Sequence, residues 1–165
     1  MPNWCVNTLK INGRETQIQR LPWRESGCLL FQPLIPCPHL TPKKQYQWKI
    51  DNWSVKWDAE VTVVDRYESY LELQFDTPWT SPFKGINKIA SMFSLLSLEM
   101  KSSEPGCDWQ ELCCWQDGNL IQKLTGHFYQ QSSLQCPKCR ADYHPEIDLD
   151  GAIICSECDK CGWCS

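Results

Sequence analysis

The chain has 165 residues, 42% of them hydrophobic and 22% charged, with 16 Lys and Arg against 20 Asp and Glu for a formal net charge of −4. This composition excludes a disordered chain. It also excludes the overall basic surplus with which nonspecific nucleic-acid binders neutralise phosphate, and leaves only a local basic face available for that purpose.

The length suits one ordinary domain with or without a small appendage. The longest apolar stretch, residues 89–98, is too short and too polar to span a bilayer. The N-terminus lacks the basic start and apolar run of a secretion signal. A cytoplasmic protein without a membrane partner is expected, and a disulfide framework is not. Cys5, Cys28, Cys37, Cys107, Cys113 and Cys114 are scattered and read as small apolar core residues. On a strand, the adjacent Cys113 and Cys114 point to opposite faces, so at most one faces the core.

In chain order, residues 3–12 alternate. Trp4, Val6, Thr8 and Lys10 share one face, Cys5, Asn7, Leu9 and Ile11 the other, and Gly13 ends the strand. Residues 14–25 predict a short helix cut by Pro22. Pro33, Pro36, Pro38 and Pro42 forbid a helix over residues 26–42 and predict an irregular arm across the surface of the core. Residues 59–65 and 69–76 are strands joined by a tight turn; Leu71, Leu73 and Phe75 alternate with polar neighbours, the pattern of a sheet with one covered face. Phe83, Ile86, Ile89, Ala90 and Phe93 recur at helical spacing and predict a helix over 83–94 lying on that sheet. Residues 95–101, 107–116 and 119–128 are three further strands, with Asp117-Gly118 as the hairpin turn between the last two. The order strand, helix, two strands, helix, strand, hairpin predicts an α+β fold, a ferredoxin-like antiparallel sheet with helices on one face. The polar stretch 129–135 separates this domain, residues 1–130, from a tail, residues 131–165.

The tail carries the strongest motif. Cys136 and Cys139 form one Cys-x-x-Cys pair; Cys155, Cys158, Cys161 and Cys164 repeat the same spacing. A Cys-x-x-Cys turn aims two thiolates at one tetrahedral cation, and two such turns complete a closed site. Residues 148–151 supply a turn, and Ile153 and Ile154 a strand leading into the second pair, which is the organisation of a zinc ribbon. The expected cofactor is one structural zinc ion on Cys136, Cys139, Cys155 and Cys158, with Cys161 and Cys164 as alternates and His144 as an exposed loop residue. Such a site has no open position for water and does no chemistry. It serves to fold a segment too short to bury a core of its own. Lys138, Arg140 and Lys160 face Asp142, Glu146, Asp148, Asp150, Glu157 and Asp159, so the ribbon is acidic and better suited to a protein partner than to phosphate.

Residues 43–57 interleave Lys43, Lys44, Lys49 and Lys56 with Tyr46, Trp48, Trp53 and Trp57. That pattern either forms a stacking surface for single-stranded nucleic acid, or places tryptophans in the core under a solvated rim of lysines. Asp51, Asn52, Lys56 and Asp58 are the polar cluster a catalytic reading would use, for an enzyme acting on a nucleotide or small molecule. No nucleophile, phosphate loop or cofactor motif accompanies them. His39, His127 and His144 lie far apart in sequence. The balance is against an enzyme.

The opening residues 1–13 resemble the start of a family of phage- and plasmid-borne proteins with a YubB-type ferredoxin-like domain. Residues 52–59 (NWSVKWDA) resemble its Asn-Trp-Gly-x-Lys-Trp-Asp-Ala stretch, residues 75–82 (FDTPWTSP) its Phe-x-Thr-x-Trp-Ser-Pro-Pro stretch, and residues 104–106 its Glu-Pro-Gly. The resemblance runs across residues 1–128 and departs at Ser54, where the family has glycine, and in the cysteine-rich tail. It implies a ferredoxin-like fold and a mobile-element origin, with no iron–sulfur cluster and no activity to carry over. The resulting expectation is a zinc-binding accessory protein that binds a host or element-encoded macromolecule, a protein before a nucleic acid, and that blocks a host defence system.

Overall fold

The computed structural model describes residues 3–107 and 109–126, Cys139, and the backbone of four short strands in the tail. Two compact units divide the chain, Met1–Gly126 and His127–Ser165.

In the first unit, β1 (Trp4–Asn12) leads into α1 (Glu15–Ile18), a long irregular arm, and α2 (Pro42–Trp53). Then follow β2 (Thr62–Arg66), β3 (Tyr70–Pro78), α3 (Phe83–Met92), β4 (Ser97–Glu104), β5 (Trp109–Gln116) and β6 (Asn119–Gly126). All neighbours in the six-stranded sheet are antiparallel, in the order β2-β3-β1-β4-β5-β6. The first four strands carry the split βαβ arrangement of a ferredoxin-like fold. The β5–β6 hairpin extends it beyond β4.

Register aligns the apolar rows. Leu9 lies opposite Leu73 and Met100, and Ile11 opposite Leu71 and Leu98. Cys113 and Trp115 continue those rows on β5. All are buried, under Ile86, Ile89 and Ala90 of α3 and Trp53 of α2. Asp117 and Gly118 both take positive φ, 51° and 76°, as a two-residue hairpin turn requires. Gly85 lets α3 approach the arm, because a Cβ there would stand 2.2 Å from Cε1 of the Phe31 ring.

Two expectations need correction. The helix expected over residues 14–25 is a single turn, stopped before Pro22, and the helix that crosses over between β1 and β2 is α2. Segment 43–57 gave no helical signal because its bulky aromatics leave only Trp53 of α2 fully buried. Pro42 starts α2 at its first turn, where a missing N–H costs nothing. The arm is irregular as expected, but it does more than cross the surface. Trp23, Leu30 and Phe31 are fully buried, and the Trp23 indole N–H donates to the carbonyls of Leu29 and Leu30, each at 3.2 Å.

Ser54 ends α2 in the left-handed conformation, φ 71°, where helices favour glycine. Its amide donates to the Ile50 carbonyl at 3.2 Å, and its hydroxyl accepts the Lys84 N–H at 3.1 Å. Ser54 thus takes a left-handed turn that favours glycine and adds a tie to α3.

In the second unit, Leu134–Gln135 pairs with Asp142–Tyr143, and Glu146–Ile147 with Ile153–Cys155, each pair antiparallel. The expected zinc ligands other than Cys139 fall outside the residues whose side chains are described. Among the described residues no group of His, Cys, Asp and Glu is placed to hold a metal ion, and no helix is long and apolar enough to cross a membrane.

Candidate binding surface

At one end of the sheet, the start of β1, the end of β3 and the segment after α2 come together. Trp4 opens β1 opposite Pro78. Trp79 follows with φ 63°, a strained backbone for a bulky residue, and its amide donates to the Asn3 carbonyl at 2.9 Å. The Trp57 ring meets Trp4 at 6.4 Å and Trp79 at 6.1 Å between centroids, both edge to face. The Lys56 ammonium stands 3.8 Å above the Trp79 ring and 5.9 Å from that of Tyr46. Trp4, Trp57 and Trp79 remain 47%, 41% and 43% exposed and Tyr46 46%. An interlocked aromatic array left this open to water is the composition of an interface centre rather than of a core.

The loop bearing Trp79 is anchored from behind by a row of buried polar side chains. The Asn7 amide donates to the Cys5 carbonyl at 2.9 Å, the Phe75 carbonyl at 3.2 Å and Thr77 Oγ1 at 2.9 Å. Thr77 in turn donates to the Thr80 carbonyl at 2.7 Å. Ser81 donates to Glu111 at 2.6 Å, and Lys123 pairs with the same carboxylate at 2.6 Å. Next to Glu111 across the sheet lies Ser102, and two residues on lies Glu104, both buried. The Cys107 thiol and the Gly106 amide hold the Glu104 carboxyl below its usual range, and that carboxylate raises Cys107. Burial pushes the thiols of Cys5 and Cys113 up to about 12, so both stay protonated at neutral pH and are poor nucleophiles. Asn7, Thr77, Ser81 and Glu111 are the members of the row that tie the loop, whereas the Ser102 hydroxyl and one Glu104 oxygen are buried without a hydrogen-bond partner among the described residues.

Segment 43–57 splits. Trp53 is buried against Phe31, Trp48 packs partly buried against it, and Lys49 lies over the Trp53 ring. Lys43 and Lys44 are exposed on the first turn of α2. Tyr46, Lys56 and Trp57 join the surface array. The catalytic cluster does not assemble. Asp51 accepts from Gln47 one turn back on α2, and Asn52 bonds the Trp48 carbonyl and the Lys88 ammonium. Asp58 accepts the amides of Phe31, Gln32 and Ala59 at 2.7–2.9 Å, tying the arm to this segment while burial pushes its carboxyl upward. Trp4 and Trp79 were not legible as site residues. The available signal was that Trp4 alternates onto the polar face of β1, and that Trp79 sits between Pro78 and Pro82.

A cleft of about 500 Å³ opens beside the array. Its lining includes Trp4, Val6, Trp57, Glu60, Gln74 and Asp76, with Asp76 directly across from Val6 in the sheet. Of the residues on which the family resemblance rests, Trp4, Lys56, Trp57, Asp58, Thr77 and Trp79 gather at this end, while Trp53 is buried in the core.

Residues 52–132 match the family model described as the ferredoxin-like domain in Api92-like protein. The uncharacterized protein YubB of Escherichia coli K12 is 29% identical over 86 residues, 49% of this chain and 57% of YubB, so the likeness spans little more than half of that relative. The crystal structure of a protein api92 from Yersinia pseudotuberculosis superposes with a TM-score of 0.57, covering 78% of this chain and 98% of that one. At 9% identity it speaks for the fold alone: an α+β, ferredoxin-like antiparallel sheet.

Proposed function

We propose that this chain, a ferredoxin-like domain similar to that of Api92-like proteins, is a protein-binding module that presents the Trp4–Trp57–Trp79 array to its partner. The single observation behind this reading is an edge-to-face set of half-exposed tryptophans, with the Trp79 loop tied by buried polar side chains. Tryptophan and tyrosine dominate the energetics of protein interfaces. A structure that leaves them wet while buried hydrogen bonds fix their loop has the form of a preorganised binding face. The chain's acidic balance favours protein over phosphate as the contact. The accessory role in a mobile element, with blockade of a host defence system, extends this reading and has the family resemblance alone behind it.

The test is a photo-crosslinking amino acid placed at Trp57 in the full-length protein in cells, with the same group at Tyr67, a remote exposed residue, as control. A discrete protein adduct from position 57, absent from position 67 and lost on Trp4→Ala, is expected. A nucleic-acid adduct, or equal labelling from both positions, overturns the proposal.

The zinc ribbon belongs to the same proposal as a second, acidic contact element. Its support is the spacing of the tail cysteines together with two short antiparallel pairs. Residues 136–141 connect the strands of the first pair, and Cys155 ends the second. Elemental analysis should find about one zinc per chain, lost in Cys136→Ser and kept in Cys161→Ser. Loss in both would move the second ligand pair to Cys158 and Cys161, and a metal-free folded wild type would end the zinc reading.

A further inference from the structure

We infer that the cleft beside the tryptophan array binds a lysine or arginine side chain of a basic, extended peptide segment in the partner; this rests on the protein-binding reading above. The cleft joins two chemistries that a cationic side chain needs. The indoles of Trp4 and Trp57 and the methyls of Val6 offer apolar and π surface to its stem and head. In the same lining, Glu60 and Asp76 are exposed and have neither a hydrogen bond nor an ion pair from their side chains among the described residues. Asp58 also borders the cleft, but its carboxylate is committed to three backbone amides.

The array already holds one cation. Lys56 stands 3.8 Å over Trp79, on an indole that Trp57 meets edge-on, so the geometry of this cluster tolerates an ammonium against its rings. Beyond the cleft, the helix-free face of the sheet carries mixed charge. Lys10 lies between Glu72 on β3 and Glu99 on β4, and Lys101 lies across from Thr8. The matching charge is therefore concentrated at the cleft, where Glu60 and Asp76 would attract a cationic side chain and repel a phosphate.

The probe is a fluorescein-labelled, capped nonapeptide of alternating arginine and serine, with lysine and glutamate versions and a ten-nucleotide oligothymidylate. Anisotropy is measured on the full chain at moderate salt. The arginine and lysine peptides should bind and the other two should not. Glu60→Gln with Asp76→Asn should weaken peptide binding at least tenfold, as should Trp57→Ala. The charge-matched control Glu15→Gln with Glu68→Gln, two exposed residues of a different cleft, should change it less than twofold. Equal loss in both double variants, or no binding of basic peptides, overturns the inference. If the position-57 crosslink to protein persists while basic peptides fail, the cleft assignment falls and the protein-binding reading stands. Oligothymidylate binding that Trp57→Ala abolishes removes both.

Discussion

Replacing Trp53 with alanine should destabilise the first unit by about 3–5 kcal/mol, the range for deleting a large aromatic from a packed core. Trp53 is 1% exposed and ties α2 to the arm. It stacks on Phe31 of the arm at 5.2 Å and 21°, and takes Trp48 edge-on at 5.6 Å. Its indole N–H donates to the Ile35 carbonyl at 3.1 Å. No other residue of α2 is fully buried, so this side chain is the main anchor of the crossover helix. Urea unfolding followed by far-ultraviolet circular dichroism measures the loss. Trp53→Phe keeps most of the stacking area and gives up the hydrogen bond, so it should cost about 1–2 kcal/mol. A Trp53→Ala cost below about 1 kcal/mol would mean that α2 is not bound to the core through this residue.

Asn7→Ala should cost about 3 kcal/mol, an unusually large effect for a short polar side chain. The Asn7 amide is fully buried and satisfies two backbone carbonyls and the Thr77 hydroxyl at once. Its removal leaves buried acceptors without donors, each costing about 1–3 kcal/mol, partly offset where water enters. The variant should also loosen the Trp79 loop, because Thr77 links Asn7 to the Thr80 carbonyl. Amide hydrogen exchange of residues 77–82 reads this directly, and faster exchange there than in β5 is expected. Asn7→Asp should be worse than alanine at neutral pH, since a carboxylate would face two carbonyl oxygens. It should recover partly on acidification, when the protonated acid regains a donor. Equal stability of Asn7→Ala and wild type would show that the polar row does not hold the loop.

Most of the sheet was legible because strand signals are local. Alternation in residues 3–12 and 69–76, and the Asp117-Gly118 turn, are properties of a few consecutive residues, and they appear in the fold as β1, β3 and the β5–β6 hairpin. The apolar stripe of α3 was equally plain because four of its residues are buried at helical spacing. α2 escaped notice for the opposite reason. Its burial is concentrated in one tryptophan, and the residues that cover that tryptophan come from the arm, more than ten positions away. No window along the chain contains that information.

By itself, then, the sequence determined the α+β class, the strand faces, the hairpin turn and the cysteine spacing of the tail, all set by short-range steric and hydrophobic periodicity. Tertiary structure alone decided which tryptophans are core and which are surface. Trp48, Trp53 and Trp57 look alike within segment 43–57, and only packing against Phe31 or against Trp4 and Trp79 separates them. The binding face exists because antiparallel pairing brings residue 4 beside residue 78 and leaves the segment after α2 against both. That juxtaposition is a matter of chain closure over more than seventy residues, which no local pattern encodes.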